Sequence, residues 1–347
     1  VFTKLNEVKK LEQLWELILL VISLVIILFG AEVFTNGVEW LGKKLNLSEG
    51  AVGSILAAVG TALPETMIPV IAIIFGGEAE GAHIGVGAIL GAPFMLSTLA
   101  MFITGIAVVA NKRKRPEFPK MHVDTSVMTR DLGFFLIVYT VAILAAFLGN
   151  HNLKLIVAAG LVIAYGVYVY QTLNEEETIG EDHELSPLFL AKKSKSPSLG
   201  IILLQIAIAL GLIVFGANIF VDSVEHLSKF LGIPTFVLAL IIAPVATELP
   251  EKFNSIIWIG KGKDTLALGN ITGAMVFQSS VIPALGIALT PWNLTLGATL
   301  SAVLALASAL LVYWQIRVKK YLTPNILMVG GAFYAVFIVL VLTKVIH

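Results

Sequence analysis

Gly60-Thr61-Ala62-Leu63-Pro64-Glu65 stands inside one apolar run of the chain, and Ala246-Thr247-Glu248-Leu249-Pro250-Glu251 stands inside another, 186 residues later. The two stretches are copies of one motif. At the same offset Phe29, Gly30, Ala31 and Phe34 fall on Phe215, Gly216, Ala217 and Phe220. Val38, Glu39, Leu41, Lys43 and Leu45 fall on Val224, Glu225, Leu227, Lys229 and Leu231. After a four-residue gap the match resumes, with Gly87, Gly91, Ala92 and Ser97 on Gly269, Gly273, Ala274 and Ser279. Apolar sequence produces chance matches of Leu and Val, but not Thr-x-Leu-Pro-Glu twice in register with Glu-x-x-x-Lys.

The material around the motifs belongs in a bilayer. Of 347 residues 57% are hydrophobic and only 13% charged, against about 25% charged in a soluble domain, and the mean hydropathy is +0.92. A soluble core cannot hide this much apolar surface, whereas lipid accepts it on the outside. The net charge of +0 gives no field for a nucleic-acid partner. With no cysteine, disulfides and thiolate metal sites are excluded. The polar opening, Val1 to Gln13, lacks the pattern of a signal peptide.

A helix needs about 20 apolar residues to span a bilayer. Ten such runs are predicted, at 14–42, 52–76, 82–108, 131–149, 153–173, 198–231, 235–259, 264–290, 293–314 and 324–345. The expected fold is an all-α membrane protein with five spans in each half. An odd number per half inserts the second copy in the opposite sense, so the halves form an inverted repeat, as in secondary transporters with a midplane site. The expected units are 14–173 (motif region 58–98), a cytoplasmic linker at 174–197, and 198–345 (motif region 244–280). Basic residues concentrate in alternate loops: Lys43 and Lys44, the cluster 112–115, Lys192, Lys193 and Lys195, Lys261 and Lys263, and Arg317, Lys319 and Lys320. The positive-inside rule then puts both termini outside the cytoplasm.

Both motifs sit near the middle of their spans. A proline inside a helix frees a backbone carbonyl one turn earlier, and in the membrane that carbonyl needs a partner such as a cation. Calcium takes about 6–8 oxygen ligands, which carboxylates, freed carbonyls and water together supply. The motifs hold no Cys or His, which argues against copper and zinc and leaves magnesium and manganese open. The plain alternative is that Pro64 and Pro250 are kinks and the glutamates snorkel or pair with lysines. Central, duplicated intramembrane acids favour function, so Glu65 and Glu251 are the leading candidates. Glu248, which faces Ala62 in the other copy, is a candidate ligand or proton carrier.

Thr61-Ala62-Leu63-Pro64-Glu65 and Thr247-Glu248-Leu249-Pro250-Glu251 are each followed by a Gly-rich helix (Gly87 to Ala92, Gly269 to Ala274). In this order they resemble the two alpha-repeats of the cation/calcium antiporter superfamily, over the whole membrane region. The resemblance implies that Glu65 and Glu251 are calcium carboxylates and that Thr61 and Thr247 lend backbone or hydroxyl oxygens. It implies transport of Ca2+ against H+ or Na+ with no cofactor, in the plasma (inner) membrane of a prokaryote. The bilayer is the expected partner, and self-association is left open. The sodium/calcium branch typically reads Thr-Ser-Leu-Pro-Glu with further Ser and Asn or Asp ligands. Here those positions hold Ala62, Glu248, Ala92, Ala274, Leu96 and Gln278. The small neutral oxygens are largely gone while the carboxylates stay. A carboxylate pair holds either one divalent cation or two protons at the same net charge, which favours proton coupling through Glu65, Glu251 and Glu248. Phe277-Gln278-Ser279-Ser280 resembles the Gln-containing helix of proton/calcium exchangers, and Gln278 joins the ligand candidates. The acidic stretch 175–184 resembles their acidic linker, although the Gly-Asn usual before that branch's glutamates is absent.

Other features have simpler readings. Glu39 with Lys43 and Glu225 with Lys229 have the spacing of interfacial ion pairs. Asn36 and Asp222 are equivalent positions, Asp222 being a lesser candidate for a gate or relay. Gly87/Gly91 and Gly269/Gly273 permit close helix packing. Asn254 and Asn270 read as peripheral ligands or interhelical hydrogen bonds, 175–184 as a solvated linker, and the histidines receive no role. An intramembrane hydrolase would need a nucleophile–base pair, an aspartate dyad or His-Glu-x-x-His, none of which appears. A passive channel usually builds its filter from several subunits, whereas an internal repeat fits alternating access.

Overall fold

The computed structural model describes residues 2–44, 63–76, 80–175, 186–194 and 196–346, with side chains described at 13–44, 65–76, 80–172, 186–194, 196–248 and 255–346. The first half holds α1 (Phe2–Lys44), α2 (Leu63–Phe75), α3 (Ala82–Ala110), α4 (Thr125–Leu144) and α5 (His151–Glu175). The second holds α6 (Leu199–Leu231), α7 (Thr235–Gly260), α8 (Asp264–Leu289), α9 (Leu296–Lys319) and α10 (Pro324–Leu342). Among the described residues no extended strand is formed, and eight helices are long and apolar enough to cross a membrane. The other two, α2 and α7, contribute shorter apolar stretches, Glu65–Phe75 and Thr235–Glu248.

Some bounds differ from expectation. α1 begins at Phe2 rather than near residue 14. α4 begins at Thr125 rather than 131, because Asp124 caps it: its Oδ1 accepts from the amides of Ser126 (2.8 Å) and Val127 (3.3 Å). Asp131 is therefore a helix-interior acid, not a helix edge. Of the expected span 52–76, only the part from Leu63 lies within the described residues, and residues 176–185 of the linker lie outside them.

The helices interlock across the two halves. α8 packs on α4 and α5 of the first half, while α3 packs on α9 and α10 of the second. α1 lies against α6, and their contact is reciprocal. A Cβ on Gly30 would stand 2.9 Å from Ile213, and a Cβ on Gly216 would stand 2.9 Å from Ile27. Ile27 and Ile213 are themselves related by the 186-residue offset, so the same pair of positions meets twice. Around this core the outer helices turn apolar side chains outward, for example Ile156, Ile163, Val167 and Tyr170 of α5.

The tightest approach is between α3 and α7. A Cβ at Gly91 would lie 2.1 Å from the Leu240 carbonyl oxygen, and one at Gly87 would lie 2.4 Å from that of Phe236. Both obstacles are backbone, so no side-chain rotation relieves them. Pro244, one turn beyond Leu240, removes the amide that would have bonded this carbonyl. Small residues serve here as the expected packing device, and α7 is set one turn before its Thr247. Gly269 and Gly273 meet no atom within 4 Å among the described residues. Gly91→Val should cost about 1–3 kcal/mol by overpacking and lower the thermal unfolding midpoint of the purified protein by several degrees. Gly160→Val, on the open side of α5, should leave the midpoint unchanged.

Candidate cation site

Glu248 on α7 is only 2% exposed, and Thr247 beside it is 3% exposed. The Thr247 hydroxyl donates to the Ala243 carbonyl at 3.0 Å, which spends its proton and leaves oxygen lone pairs. From α8, Gln278 donates its Nε2 to Glu248 Oε1 at 3.0 Å. The Gln278 Oε1 is buried and accepts no hydrogen bond within the described residues. A carboxylate and an open amide oxygen therefore stand side by side on facing helices, a donor set suited to a hard cation.

Helical geometry extends this set. Positions 247, 248 and 251 fall on one side of α7, at the three- and four-residue spacings that share a face. Pro250 lies within α7, so the Ala246 carbonyl lacks its helical donor. Glu65 occupies the first described turn of α2 and is buried. α2 packs against α3, α7 and α8, of which α7 carries Thr247, Glu248 and Glu251 and α8 carries Gln278. The structure thus joins Glu248 to Gln278 directly and places Glu65 on an adjoining helix. Thr61 lies outside the described residues, as do the side chains of Glu251 and Asn254. Among the described residues no three acids or histidines converge in a metal-binding cluster.

Among the positions where sodium ligands are missing, Ala274 is half-buried and Ala62 lies outside the described residues. Ala92 and Leu96 are buried, and a π-helical turn, Leu96–Ala100, begins there. The Ser97 hydroxyl donates to the Pro93 carbonyl at 2.7 Å and the Ser279 hydroxyl to that of Val276 at 3.0 Å. Glu225 and Lys229 form the expected pair at 2.5 Å, while Lys43 lies over the Trp40 ring. Asn270 bonds Ser255 of α7 at 3.3 Å, an interhelical bond. Asn36 fastens the end of the linker, donating to the Ser186 carbonyl and accepting from the Phe189 amide and from Gln205. Its counterpart Asp222 is exposed.

Three buried contacts of charged side chains escaped the sequence reading. Asp131 of α4 accepts from Tyr168 of α5 and Thr272 of α8, both at 2.8 Å, and from Arg130 at 3.2 Å. Arg115 grips Asp264 at the start of α8 through two bonds of 2.7 Å. Lys154 of α5 is 5% exposed and donates to the Pro291 carbonyl (2.6 Å) and Asn293 (3.2 Å), just beyond the end of α8. The Asp-Thr-Ser capping pattern at 124–126 was the available signal for Asp131.

The sequence and the fold resemble those of known exchangers. The sequence profile described as "Sodium/calcium exchanger protein" matches in two segments, residues 15–173 and 201–345. The sodium/calcium exchanger MaX1 of Methanosarcina acetivorans is 22% identical over 340 residues, covering 86% of this chain and 92% of that protein. A crystal structure of the H+/Ca2+ exchanger CAX superposes with a TM-score of 0.70 at 16% identity, covering 94% of this chain and 82% of the other. The sodium-calcium exchanger NCX_Mj superposes with a TM-score of 0.55 at 19% identity, covering 94% and 98%. Two-segment coverage of most of the sequence, on an all-helical membrane fold shared with solved exchangers, settles the kinship: the chain belongs to the sodium/calcium exchanger family, and is a membrane antiporter of calcium rather than an enzyme.

Proposed function

We propose that the protein is a secondary active antiporter that exports Ca2+ in exchange for H+ by alternating access. Glu65 and Glu251 bind either one Ca2+ or protons near the midplane. Thr61, Thr247, Glu248 and Gln278 complete the oxygen set, and Glu248 takes part in proton coupling. The observation that carries this reading is the buried Gln278–Glu248 pair with its open amide oxygen. It supplies a carboxylate and one neutral oxygen where several small sodium ligands would otherwise be needed. Ala62, Ala92, Ala274 and Leu96 offer no side-chain oxygen at all.

The architecture we propose is ten spans in two inverted repeats, 14–173 and 198–345, joined by a cytoplasmic linker at 174–197, with both termini outside the cytoplasm. Three findings support it. The family profile matches in two segments of similar length. The α1–α6 contact uses equivalent residues in both directions, as a two-fold axis requires. The packing of α8 on α4 and α5 mirrors that of α3 on α9 and α10.

The test is calcium flux in vesicles reconstituted with the purified protein. An interior more acidic than the medium, without sodium, should drive Ca2+ uptake. Uptake that instead needs a sodium gradient would sink proton coupling and favour the second reading, Na+/Ca2+ exchange, which the family description and the name of MaX1 support. Excess Mg2+ or Mn2+ outside should compete poorly if calcium is the preferred cargo.

A further inference from the structure

At one end of the bundle, between the start of α4 and the end of α9, lies a cleft of about 390 Å3. It is lined by three cations, Arg130, Arg317 and Lys320, and by the hydroxyl residues Thr125, Ser126 and Thr129. Among the described residues the acids beside it, Asp131 and Asp124, are already engaged. Asp131 sits behind Arg130, buried and bonded also to Tyr168 and Thr272. Asp124 caps α4 by accepting from the Ser126 and Val127 amides. That cap satisfies the helix end, so the pull on an anion comes from the side chains. Arg317 spends its Nε–H on Tyr313 Oη at 3.1 Å, and its other guanidinium N–H donors remain for a ligand. The chemistry that fits is a phosphate: several oxygens, at least one negative charge, and an affinity for guanidinium forks.

The depth of the cleft says which phosphate. Leu310, Trp314 and Val318 are all more than half exposed and recur every fourth residue, forming an outward apolar stripe on α9. Arg317 continues the same stripe, seven residues after Leu310. A tryptophan followed by basic residues marks the level where acyl chains give way to headgroups. The cleft therefore opens beside the lipid headgroups, in the manner of basic pockets between membrane helices that hold anionic lipids.

We propose that this cleft binds the phosphate of an anionic phospholipid. Arg130 then stands between the headgroup and Asp131, one of whose other partners, Thr272, lies on the helix that carries Gln278. This inference is independent of the counter-ion and of the cation ligands.

The test is native mass spectrometry of the full-length protein, delipidated in detergent and titrated with phosphatidylglycerol or phosphatidylcholine. Phosphatidylglycerol should be retained in preference, and Arg317→Gln/Lys320→Gln should reduce its retention by at least about tenfold. Both side chains are exposed, so the fold should survive, and the thermal midpoint checks this. Lys112→Gln/Lys114→Gln removes equal charge outside the cleft and should leave retention intact. Equal losses in the two pairs would reveal diffuse attraction and overturn the site. Equal retention of the two lipids by the unaltered protein would do the same. Displacement of phosphatidylglycerol by millimolar inorganic phosphate would reassign the cleft to a soluble anion and overturn the lipid proposal.

Discussion

Replacing Glu65 by Gln, or Glu251 by Gln, reduces calcium flux in reconstituted vesicles to that of protein-free vesicles. The substitution keeps the shape, removes one charge and replaces one acceptor oxygen with a donor. A carboxylate and a divalent ion at about 2.4 Å attract by on the order of 10 kcal/mol at an effective dielectric of about 20, before desolvation is subtracted. A remainder of only about 3 kcal/mol would still weaken binding by a hundredfold or more. The same carboxylates are the proposed proton carriers, so their loss removes both half-cycles. Glu248→Gln is the informative companion, since an amide oxygen can still accept from Gln278 Nε2. Its effect reads the loss of the charge and of one acceptor oxygen, with the Gln278 bond kept. Flux retained in the Glu65 and Glu251 variants would refute the proposed site, provided each variant melts like the parent.

A second large effect is expected on folding, from Arg115→Met. Asp264 is fully buried and Arg115 nearly so, with side-chain exposures of 0% and 9%. Arg115 forks onto both carboxylate oxygens and also donates to the Ile259 carbonyl at 2.7 Å. The His122 amide adds a further bond to Asp264 at 3.0 Å. Removing one member of such a pair leaves an uncompensated charge and costs about 3–5 kcal/mol, a large share of a total stability of about 5–15 kcal/mol. The unfolding midpoint should fall by about 10 °C. The double variant Arg115→Met/Asp264→Leu should be less damaged than Arg115→Met alone, because no charge is left stranded. Strict additivity of the two single effects would show that the pair is not the source of the stability.

What the sequence disclosed followed from periodicity and repetition. Long apolar runs announced the spans, and the 186-residue offset announced the equivalence of Gly30 with Gly216 that the α1–α6 contact displays. Glu248 was also legible as a candidate, because an acid stands out in an apolar run, and Gln278 through its resemblance to the Gln-containing helix of proton/calcium exchangers. Each hidden feature reaches a partner more than a hundred residues away. Arg115 was one of four basic residues read together as a charge cluster, and nothing local distinguishes it from Lys112, Arg113 or Lys114. Only the arrival of Asp264 singles it out. Nothing local marks Lys154, yet it is buried against carbonyls that follow α8. Asp131 was placed at a helix edge because its span was drawn from hydropathy, which an N-cap lengthens without adding apolar residues.

The three hidden contacts share one target. Arg115 holds the start of α8, Asp131 holds its Thr272, and Lys154 holds the chain just past its end. α8 is thus fastened to elements of the first half at both ends and partway along. A helix so anchored behaves as a stator: opening it to solvent requires breaking several bonds at once. Its amides should exchange deuterium slowly, and equally so whether the protein is loaded with calcium or held in acid without it. Changes in exchange between those two conditions should fall on other helices, leaving Gln278 as a stationary half of a pair whose other half, Glu248, rides on α7.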